Sequence, residues 1–229
     1  MISENQILKA IILAGGRGKR LKPITDYVPK PLVPIKNIPI IEWQIKYLKQ
    51  FGIKEVIICT GYKTNMIESH LKMKDLGMKI KFSIEKTPLG TGGAIKKAAK
   101  QINEKSFFVI NGDTITNIDL RKLTNKKNAI AAIELRTKYG ILETDSEKII
   151  NFKEKKEIPN TWMNAGIYYL QKQILKELPT KGDIEKTVFP NYAKKGLLET
   201  IKFKNVKWYS VDSFKDIEEC SLTVNKIIK

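Results

Sequence analysis

Short apolar runs alternate with amphipathic segments through the first half of the chain. Runs that stop at glycine or at a polar turn, and one alternating segment, predict strands over 8–13, 55–60, 79–84 and 106–110. Apolar residues at helical spacing predict helices over 40–51, 66–73 and 93–102. Strands that alternate with helices indicate βαβ units, so we predict an α/β fold with a parallel sheet covered on both faces.

The second half of the chain has shorter apolar runs and fewer helical patterns between them. The strands predicted there are 129–135, 140–143, 149–153, 164–170 and 198–203, and the helices are 174–178, 183–193 and 213–228. No linker rich in Pro, Gly or Ser separates the two parts, and no internal repeat occurs. We therefore predict one composite domain over residues 1–229, with halves of different character at 1–125 and 126–229.

The composition agrees with a packed protein that is soluble in water. The 229 residues are 42% hydrophobic and 8% aromatic, which excludes a disordered or collagen-like chain. Cys59 and Cys220 have no CxxC partner, so we expect neither a disulfide framework nor a cysteine zinc site. No apolar run approaches the ~18 residues of a membrane span, and residues 1–6 lack the form of a signal peptide. We expect a cytoplasmic protein with no membrane partner.

The net charge of +18 raises the question of nucleic-acid binding. Only four of the 42 basic residues are arginines, however, and the lysines are spread over nearly every segment. Nucleic-acid readers concentrate arginine and aromatic residues on one face, because arginine binds phosphate through two N–H groups and stacks on bases. We expect weak, nonspecific attraction to polyanions, with specific nucleic-acid binding kept as an alternative.

The first predicted strand runs into a glycine-rich loop, Leu13-Ala14-Gly15-Gly16-Arg17-Gly18-Lys19-Arg20-Leu21. Glycines let backbone N–H groups approach a ligand closely, and the basic side chains beside them suit a polyphosphate. A P-loop would require Gly at position 13 and Ser or Thr at position 20, and the dinucleotide fingerprint would require Gly at position 21. Leu13, Arg20 and Leu21 exclude both motifs.

Prolines follow the glycine loop at positions 23, 29, 31 and 34. They restrict the backbone around Lys30, so we predict a stiff, extended segment that holds this lysine close to the loop at a low entropic cost. The alternative interpretation is an ordinary surface lysine.

The pattern L-A-G-G-x-G-x-R-L-x-P-x-T over 13–25, followed by P-K-P-L-x-P over 29–34, resembles the signature of sugar 1-phosphate nucleotidyltransferases. The resemblance implies a Rossmann-like nucleotidyltransferase fold, with a mixed, mostly parallel central sheet flanked by helices. It also implies a nucleotide-binding half over 1–125 and a sugar-phosphate-binding half over 126–229. Lys19 departs from the Thr or Ser usual in the family, and we expect activity to survive because this position works mainly through its backbone.

Further motifs resemble the family in chain order. The segment 85–94, E-K-T-P-L-G-T-G-G-A, resembles its base-recognition segment, where glycines at a helix entrance let a flat base lie against the backbone. Asp113 follows an apolar strand, at the strand end where parallel sheets bind ligands, and Asp212 lies in a looser match to the second metal ligand. The implied nucleotide-binding residues are Leu13, Ala14, Gly15, Gly16, Arg17, Gly18, Glu85, Leu89, Gly90, Thr91 and Gly92.

The remaining implied roles concern the sugar phosphate and the chemistry. Elements Y-G, F-x-E-K and N-x-G-I-Y of the family match residues 139–140, 152–155 and 164–168. The implied sugar-phosphate-binding residues are Tyr139, Gly140, Glu154, Lys155 and Asn164. The resemblance further implies Mg²⁺ on Asp113 and Asp212, with Arg20 and Lys30 as catalytic residues that neutralise phosphate charge.

The resemblance implies transfer of a nucleotidyl group from a nucleoside triphosphate to a sugar 1-phosphate, with release of pyrophosphate. Within the family, the compact length and the run S-I-E-K-T-P-L-G-T-G-G-A-I-K most resemble guanylyltransferases, which implies GTP, with manno-heptose or mannose 1-phosphate as the acceptor. A glucose 1-phosphate thymidylyl- or uridylyltransferase is the alternative of the same class, and a non-catalytic regulatory subunit that binds nucleotide sugars is the alternative of another class. The partners expected are these small molecules, and a homo-oligomer stays open.

Overall fold

The computed structural model describes residues 8–137, 139–154 and 157–228, apart from the side chains of residues 157 and 159. The strands in these ranges are β1 (Lys9–Ala14), β2 (Pro34–Ile35), β3 (Ile38–Pro39), β4 (Glu55–Thr60), β5 (Lys79–Ile84), β6 (Ser106–Asn111), β7 (Thr114–Thr116), β8 (Ala129–Arg136), β9 (Ile141–Asp145), β10 (Lys148–Lys153), β11 (Glu157–Gln171), β12 (Glu199–Phe203) and β13 (Trp208–Ser210). The α-helices are α1 (Ile24–Tyr27), α2 (Ile40–Gln50), α3 (Thr64–Lys72), α4 (Gly90–Ala98), α5 (Ile184–Lys194) and α6 (Phe214–Ile227). Short 3₁₀ helices cover Lys19–Leu21, Lys30–Leu32, Ala99–Gln101, Leu120–Asn125 and Lys172–Lys176.

Within the described ranges, seven strands form the central sheet in the order β12-β8-β11-β6-β1-β4-β5. The pairs β1–β4, β1–β6, β4–β5 and β8–β12 are parallel, whereas β11 runs antiparallel to β6 and to β8. The parallel strands meet the rest of the chain through loops at their carboxyl ends, which is where ligands bind in sheets of this kind. The predicted fold class, a mixed and mostly parallel sheet flanked by helices, is confirmed.

Alternate residues of the central strands fill two apolar layers on opposite faces of the sheet. Ile12 and Ile58 belong to the layer that includes α2 and α6, and Ile11 and Ile57 belong to the layer that includes α4 and α5. Successive side chains of a strand point to opposite faces, so a strand covered on both sides must be apolar at every position. This requirement explains the uninterrupted apolar runs in β1, β4 and β6.

Two of the predicted elements were wrong. Residues 174–178 overlap the 3₁₀ helix Lys172–Lys176 instead of forming an α-helix, and Lys30 begins the 3₁₀ helix Lys30–Leu32 instead of lying on an extended segment. Proline fixes φ near −65°, which suits a 3₁₀ turn as well as an extended backbone. Pro29 and Pro31 therefore restrict the segment without choosing between the two conformations.

Three small antiparallel pairs accompany the central sheet, as far as the described residues show: β2 with β3, β7 with β13, and β9 with β10. The pair β7–β13 joins the middle of the chain to its last strand, with Thr114 opposite Ser210. The strands β7 and β13 were not predicted, because three residues are too few for a pattern. No helix in the described part of the chain is long and apolar enough to cross a membrane.

Candidate active site

The glycine loop folds as one unit with the proline-rich segment that follows it. Gly18 adopts φ +62°, a left-handed conformation that favours glycine, and a Cβ there would lie 2.9 Å from the Cβ of Lys30. The buried Thr25 hydroxyl donates a hydrogen bond to Gly18 O at 3.0 Å. The spacing of Gly18, Thr25 and Lys30 in the sequence therefore reflects direct contacts that hold Lys30 beside the loop.

The turn after β6 lies against the end of β1. Gly112 N donates a hydrogen bond to Leu13 O at 3.0 Å, and a Cβ on Gly112 would collide with that oxygen. Asp113 O accepts a hydrogen bond from Val211 N at 3.0 Å, which brings the end of β13 to the same edge of the sheet. Asp113 and Asp212 thus become neighbours, although they lie far apart in the sequence.

Arg20, Lys30, Asp113 and Asp212 meet at this edge, and we call them the carboxyl-edge cluster. Lys30 Nζ lies 2.7 Å from Asp113 Oδ2 and 2.7 Å from Asp212 Oδ1, so the two carboxylate oxygens are within twice that distance of each other. Arg20 Nη2 lies 2.9 Å from Asp212 Oδ1. The Lys30 side chain is only 13% exposed and the Arg20 side chain 76%. Lys30 is therefore the fixed centre of the cluster and Arg20 its solvent-facing rim.

The carboxylate of Asp212 is held in its ionised form. Burial alone would raise the pKa of Asp212, but hydrogen bonds from Lys30 and Ser210 and the charge of Arg20 hold it below its usual value. Ser210 Oγ donates to the second carboxylate oxygen at 2.8 Å. Both oxygens of Asp212 are thus oriented by neighbours on the same face of the site.

The carboxyl-edge cluster lines a cavity of about 270 Å³ beside the glycine loop. The residues predicted from the sequence that line it are Leu13, Ala14, Gly16, Gly18, Arg20, Lys30, Asp113 and Asp212. Loop backbone and two basic side chains suit an anion, and two adjacent carboxylates suit a cation. The cavity is therefore arranged for a polyphosphate together with its counter-ion.

A second group of predicted residues lies on the other side of the glycine loop. Glu85 Oε2 accepts a hydrogen bond from Leu89 N at 3.0 Å, and a Cβ on Gly15 would lie 2.7 Å from Glu85 Oε1. A Cβ on Gly61 would lie 3.1 Å from Gly15 O. Burial raises the pKa of Glu85, although the Leu89 N–H opposes the shift. The backbone therefore comes close to the half-buried Glu85 side chain at Gly15, Gly61 and Leu89.

Arg17 lies apart from the carboxyl-edge cluster. Its guanidinium lies 5.9 Å from the centre of the Tyr62 ring, and the Tyr62 hydroxyl donates to Thr25 O at 2.9 Å. Tyr62 N also donates to Gly15 O at 3.3 Å. Tyr62 thus packs against the glycine loop at Gly15 and Arg17, on the side where Glu85 lies.

The glycines at the start of α4 have a packing role that the sequence did not reveal. A Cβ on Gly90 or Gly92 would come within 3 Å of Gly182, and the amides of Gly92 and Gly93 donate to Gly182 O at 2.9 and 3.2 Å. Gly182 N in turn donates to Leu89 O at 2.7 Å. These glycines therefore let the loop before α5 pack closely on the helix entrance, and their amides are bonded within the chain.

The residues predicted to bind the sugar phosphate are dispersed. Tyr139 is 80% exposed, and Gly140 lies under the Phe152 ring at the start of the β9–β10 ribbon. Glu154 is exposed at the end of that ribbon, and Lys155 lies outside the described residues. Asn164 lies in β11, opposite Ala132 of β8 and two residues before Gly166, whose backbone lies against the Asn111 side chain at the end of β6. Tyr139 and Glu154 are open to solvent, and Asn164 lies on the strand next to β6.

Gln44 is a site residue that sequence analysis missed. Its buried amide donates to Asn111 O at 2.7 Å and to Thr114 O at 3.0 Å, and so holds both ends of the turn that carries Asp113. The available signal was a glutamine within the apolar stripe of the helix predicted over 40–51. A buried polar side chain on such a stripe indicates a specific hydrogen-bonding task.

The donor set suits a hard cation that shares its coordination with a ligand. Asp113 and Asp212 offer carboxylate oxygens to one point, now occupied by the Lys30 ammonium. Over the described residues, no group of three or more His, Cys, Asp or Glu side chains could hold a metal ion by itself. Two carboxylates plus phosphate oxygens are the usual arrangement for Mg²⁺ in nucleotide sites, so these residues fit such an ion.

Comparison with known proteins gives consistent matches. Residues 9–227 match the family model described as nucleotidyl transferase. The chain is 42% identical over 194 residues to D-glycero-alpha-D-manno-heptose 1-phosphate guanylyltransferase of Campylobacter jejuni, covering 82% of this chain and 87% of that protein. It is 35% identical to mannose-1-phosphate guanyltransferase beta-A of Xenopus laevis, covering 91% of this chain and 62% of that protein.

A solved structure agrees with these matches. The crystal structure of HddC from Yersinia pseudotuberculosis superposes with a TM-score of 0.78 at 30% identity, covering 95% of this chain and 99% of that chain. The same protein complexed with GMP-PN superposes with a TM-score of 0.76 over the same shares of the two chains. The similarity therefore extends over nearly the whole fold described above.

Proposed function

The chain belongs to the nucleotidyl transferase family, and on this basis we propose that it transfers a guanylyl group from GTP to a sugar 1-phosphate. The acceptor we propose is manno-heptose 1-phosphate or mannose 1-phosphate, as in the names of the relatives at 42% and 35% identity. The products are then a GDP-sugar and pyrophosphate. The observation that carries the proposal is the carboxyl-edge cluster, with Lys30 between two carboxylates in the cavity formed by the glycine loop.

The reaction needs charge neutralisation and no protein nucleophile. An oxygen of the acceptor's phosphate attacks the α-phosphorus, and the bond to the bridging oxygen breaks so that pyrophosphate leaves with the electron pair. Lys30, which is largely buried and held by contacts on three sides, neutralises charge on the group in transfer. Arg20, at the exposed rim, stabilises the leaving pyrophosphate. Positioned charges of this kind are each worth ~10²–10³ in turnover.

Asp113 and Asp212 are the residues that would hold Mg²⁺, in keeping with the divalent metal that the family generally uses. When bound, the ion supplies neutralisation of triphosphate charge. The protein's own contribution is to hold the Asp212 carboxylate in its ionised form through Ser210 and its basic neighbours. The hydrogen bond from Val211 N to the backbone oxygen of Asp113 brings the two aspartates together. Lys30, which lies between the two carboxylates, would contact phosphate oxygens of the substrates.

Glu85 supports the choice of guanine. One of its oxygens is bonded to Leu89 N, which leaves the other directed toward Gly15 at the edge of the glycine loop. An ionised carboxylate only accepts hydrogen bonds. Guanine offers it two adjacent N–H donors, N1–H and the N2 amino group, whereas uracil and thymine offer one. Arg17 and Tyr62 close the same side of the loop.

The sugar-phosphate roles of Tyr139, Gly140, Glu154, Lys155 and Asn164 remain proposals that rest on the matched motifs. We propose that Tyr139 and Glu154, which are exposed, contact the acceptor together with Asn164. The enzyme would draw on soluble nucleotides and sugar phosphates, so we also propose a cytoplasmic location and small-molecule substrates without a specific nucleic-acid partner.

The test is pyrophosphate release in the presence of Mg²⁺, with ATP, GTP, CTP, UTP and dTTP each paired with mannose, glucose and manno-heptose 1-phosphate. We expect release only when GTP and a manno-configured acceptor are both present. Release with glucose 1-phosphate and dTTP or UTP would identify the alternative of the same class. Nucleotide binding without release from any pair would identify a binding subunit, and failure to bind any nucleotide would overturn the proposal.

A further inference from the structure

β11 carries a bulge next to the end of β6, where a Cβ on Gly166 would lie 2.5 Å from the Asn111 side chain. Asn164 pairs with Ala132 of β8 and Tyr168 pairs with Ile130, so β11 advances four residues where β8 advances two. Gly166, inside the bulge, adopts φ +69°, which favours glycine. Bulges next to active sites re-aim side chains. This one directs the side chains of Asn164 and Tyr168 toward each other.

A chain of three hydrogen bonds runs from this bulge to the entrance of α4. Asn164 Nδ2 donates to the Tyr168 hydroxyl at 2.9 Å, Tyr168 donates to Glu185 Oε1 at 3.0 Å, and the Thr91 hydroxyl donates to Glu185 Oε2 at 2.5 Å. We call these four residues the Glu185 chain. The chain joins Asn164, a candidate sugar-binding residue, to Thr91, a candidate nucleotide-binding residue. The connection runs through the carboxylate of Glu185, which no motif indicated.

The direction of each hydrogen bond follows from Glu185. Its carboxylate only accepts, so Tyr168 must donate to it, and the Tyr168 oxygen is left to accept from Asn164. Burial, and then the charge of Glu185, raise the pKa of Tyr168, so the phenol keeps its proton. Gly166 N donates to Asn164 Oδ1 at 2.8 Å, which requires the same orientation of the amide.

The other end of the Glu185 chain is equally constrained. Ile184 N donates to the Thr91 hydroxyl oxygen at 3.0 Å, so the Thr91 proton is free to go to Glu185. Each carboxylate oxygen of Glu185 therefore accepts a hydrogen bond, one from Thr91 in the first half of the chain and one from Tyr168 in the second half. Thr91 anchors the carboxylate that orders the amide of Asn164.

Asn164 is left with a defined set of free groups. A primary amide has two N–H donors and two oxygen lone pairs. One donor is taken by Tyr168 and one lone pair by Gly166 N. The remaining donor and the remaining lone pair of Asn164 keep their sides, because turning the amide over would break both of these hydrogen bonds.

We propose that Glu185 is a positioning residue for the acceptor, which acts through Tyr168 to fix which face of the Asn164 amide meets a hydroxyl of the sugar 1-phosphate. The inference rests on the proposed function, through the sugar-binding role of Asn164. A glutamine at position 185 could donate to Tyr168, whose hydroxyl would then be free to donate to Asn164. The Asn164 side-chain amide could then turn over, but only by losing the hydrogen bond that it accepts from Gly166 N.

The experiment compares Glu185→Gln with the wild type in steady-state kinetics, with GTP and mannose or manno-heptose 1-phosphate. We expect KM for the acceptor to rise about tenfold, kcat to change less than about threefold, and KM for GTP to change less than about twofold. Tyr168→Phe should give a similar rise. The double variant should be no worse than either single variant, because both changes break the same chain.

A second measurement needs no turnover. The side-chain amide resonances of Asn164 in a ¹H–¹⁵N spectrum should shift in Glu185→Gln and should not shift in Glu218→Gln, a matched change at an exposed position of α6. Unchanged Asn164 resonances, or an unchanged KM for the acceptor, would overturn the positioning role. Equal rises in both KM values with a lower melting temperature would also overturn it, since they indicate general loosening.

Failure of the proposed function would look different. In that case the wild type would bind no sugar 1-phosphate, while Glu185→Gln would still shift the Asn164 resonances.

Discussion

Charged side chains gather at both edges of the central sheet, where the parallel strands begin and where they end. At the amino ends of β1, β4 and β5, the ammonium groups of Lys9, Lys79 and Lys81 lie 3.3, 3.3 and 2.9 Å from the carboxylate of Glu55. We call these four residues the amino-edge cluster. The carboxyl-edge cluster has equal numbers of the two charges, with Lys30 between two carboxylates and Arg20 beside one of them.

The same residue types serve stability at one edge and a ligand at the other. Burial alone would raise the pKa of Glu55, but hydrogen bonds from Lys81, Lys79 and Lys9 lower it to about 2. This carboxylate is therefore fully paired inside the chain. At the carboxyl edge the chain leaves the strands through glycine turns, which open a cavity beside the charges. The comparison teaches that the turns around a charged cluster decide whether its side chains also line a cavity.

Replacement of Lys30 should have the largest effect and should act on activity. We expect Lys30→Ala to lower turnover ~10²–10³-fold, because a preorganised charge at the transferred phosphoryl group is lost. The measurement is GTP-dependent pyrophosphate release, with near-ultraviolet circular dichroism to show that the variant is folded. Lys22→Ala is the matched control, since Lys22 is an exposed lysine of the same segment that pairs with Asp26 at 2.9 Å. Wild-type turnover in Lys30→Ala would remove the lysine from the mechanism.

Replacement of Glu55 should act on stability and leave activity intact. We expect Glu55→Gln to lower the free energy of unfolding by about 2 kcal/mol at pH 7, because a nearly buried carboxylate and its partners are separated. The folded-state pKa is depressed, so the wild type has this stabilisation above the unfolded pKa of 4.5 and loses it as the pH falls toward about 2.

Urea titrations of both proteins at several pH values measure this difference. The gap between wild type and Glu55→Gln should be widest near neutral pH and should close in acid. A gap that does not narrow below pH 4.5 would contradict the assignment, as would a loss of turnover in the folded variant.

Replacement of an exposed pair should have the smallest effect. Glu199 lies 2.7 Å from Lys126, and both side chains are 38% exposed. Water screens such a pair and the side chains lose entropy in making it, so we expect Glu199→Gln to shift the melting temperature by less than about 1 °C. Differential scanning calorimetry measures the shift. A drop as large as that of Glu55→Gln would show that burial is not what makes the amino-edge cluster more stabilising than an exposed ion pair.

The core of the fold could be predicted because its signal is local. β4 and β5 have the predicted bounds, β6 differs from the prediction by one residue at one end, and β1 is shifted by one residue at both ends. A strand covered on both faces must be apolar throughout, and this leaves an unmistakable run in the sequence. The strands β7 and β13 carry too few residues for such a signal, although their pairing brings Asp212 to Asp113.

The candidate site could be predicted in part, through motif resemblance. Arg20, Lys30, Asp113 and Asp212 were named from the sequence, and the structure links them through contacts of Lys30 with both aspartates and of Arg20 with Asp212. Gln44 and Glu185 were missed, because each acts on a partner from a distant segment. Gly92 was assigned to the base, yet its amide is bonded to Gly182 O.

The sequence by itself determined the alternation of strands and helices, the family and the reaction class, since each is written in short patterns of neighbouring residues. The tertiary structure alone decided that Lys30 lies between two carboxylates and that Glu185 ties Asn164 to Thr91. Those facts depend on which strands are adjacent and on where each turn lets two backbones approach. The residues next to a side chain in the sequence do not identify its partner from a distant segment. The hydrogen bond between the two forms only once the sheet has brought both segments to the same edge.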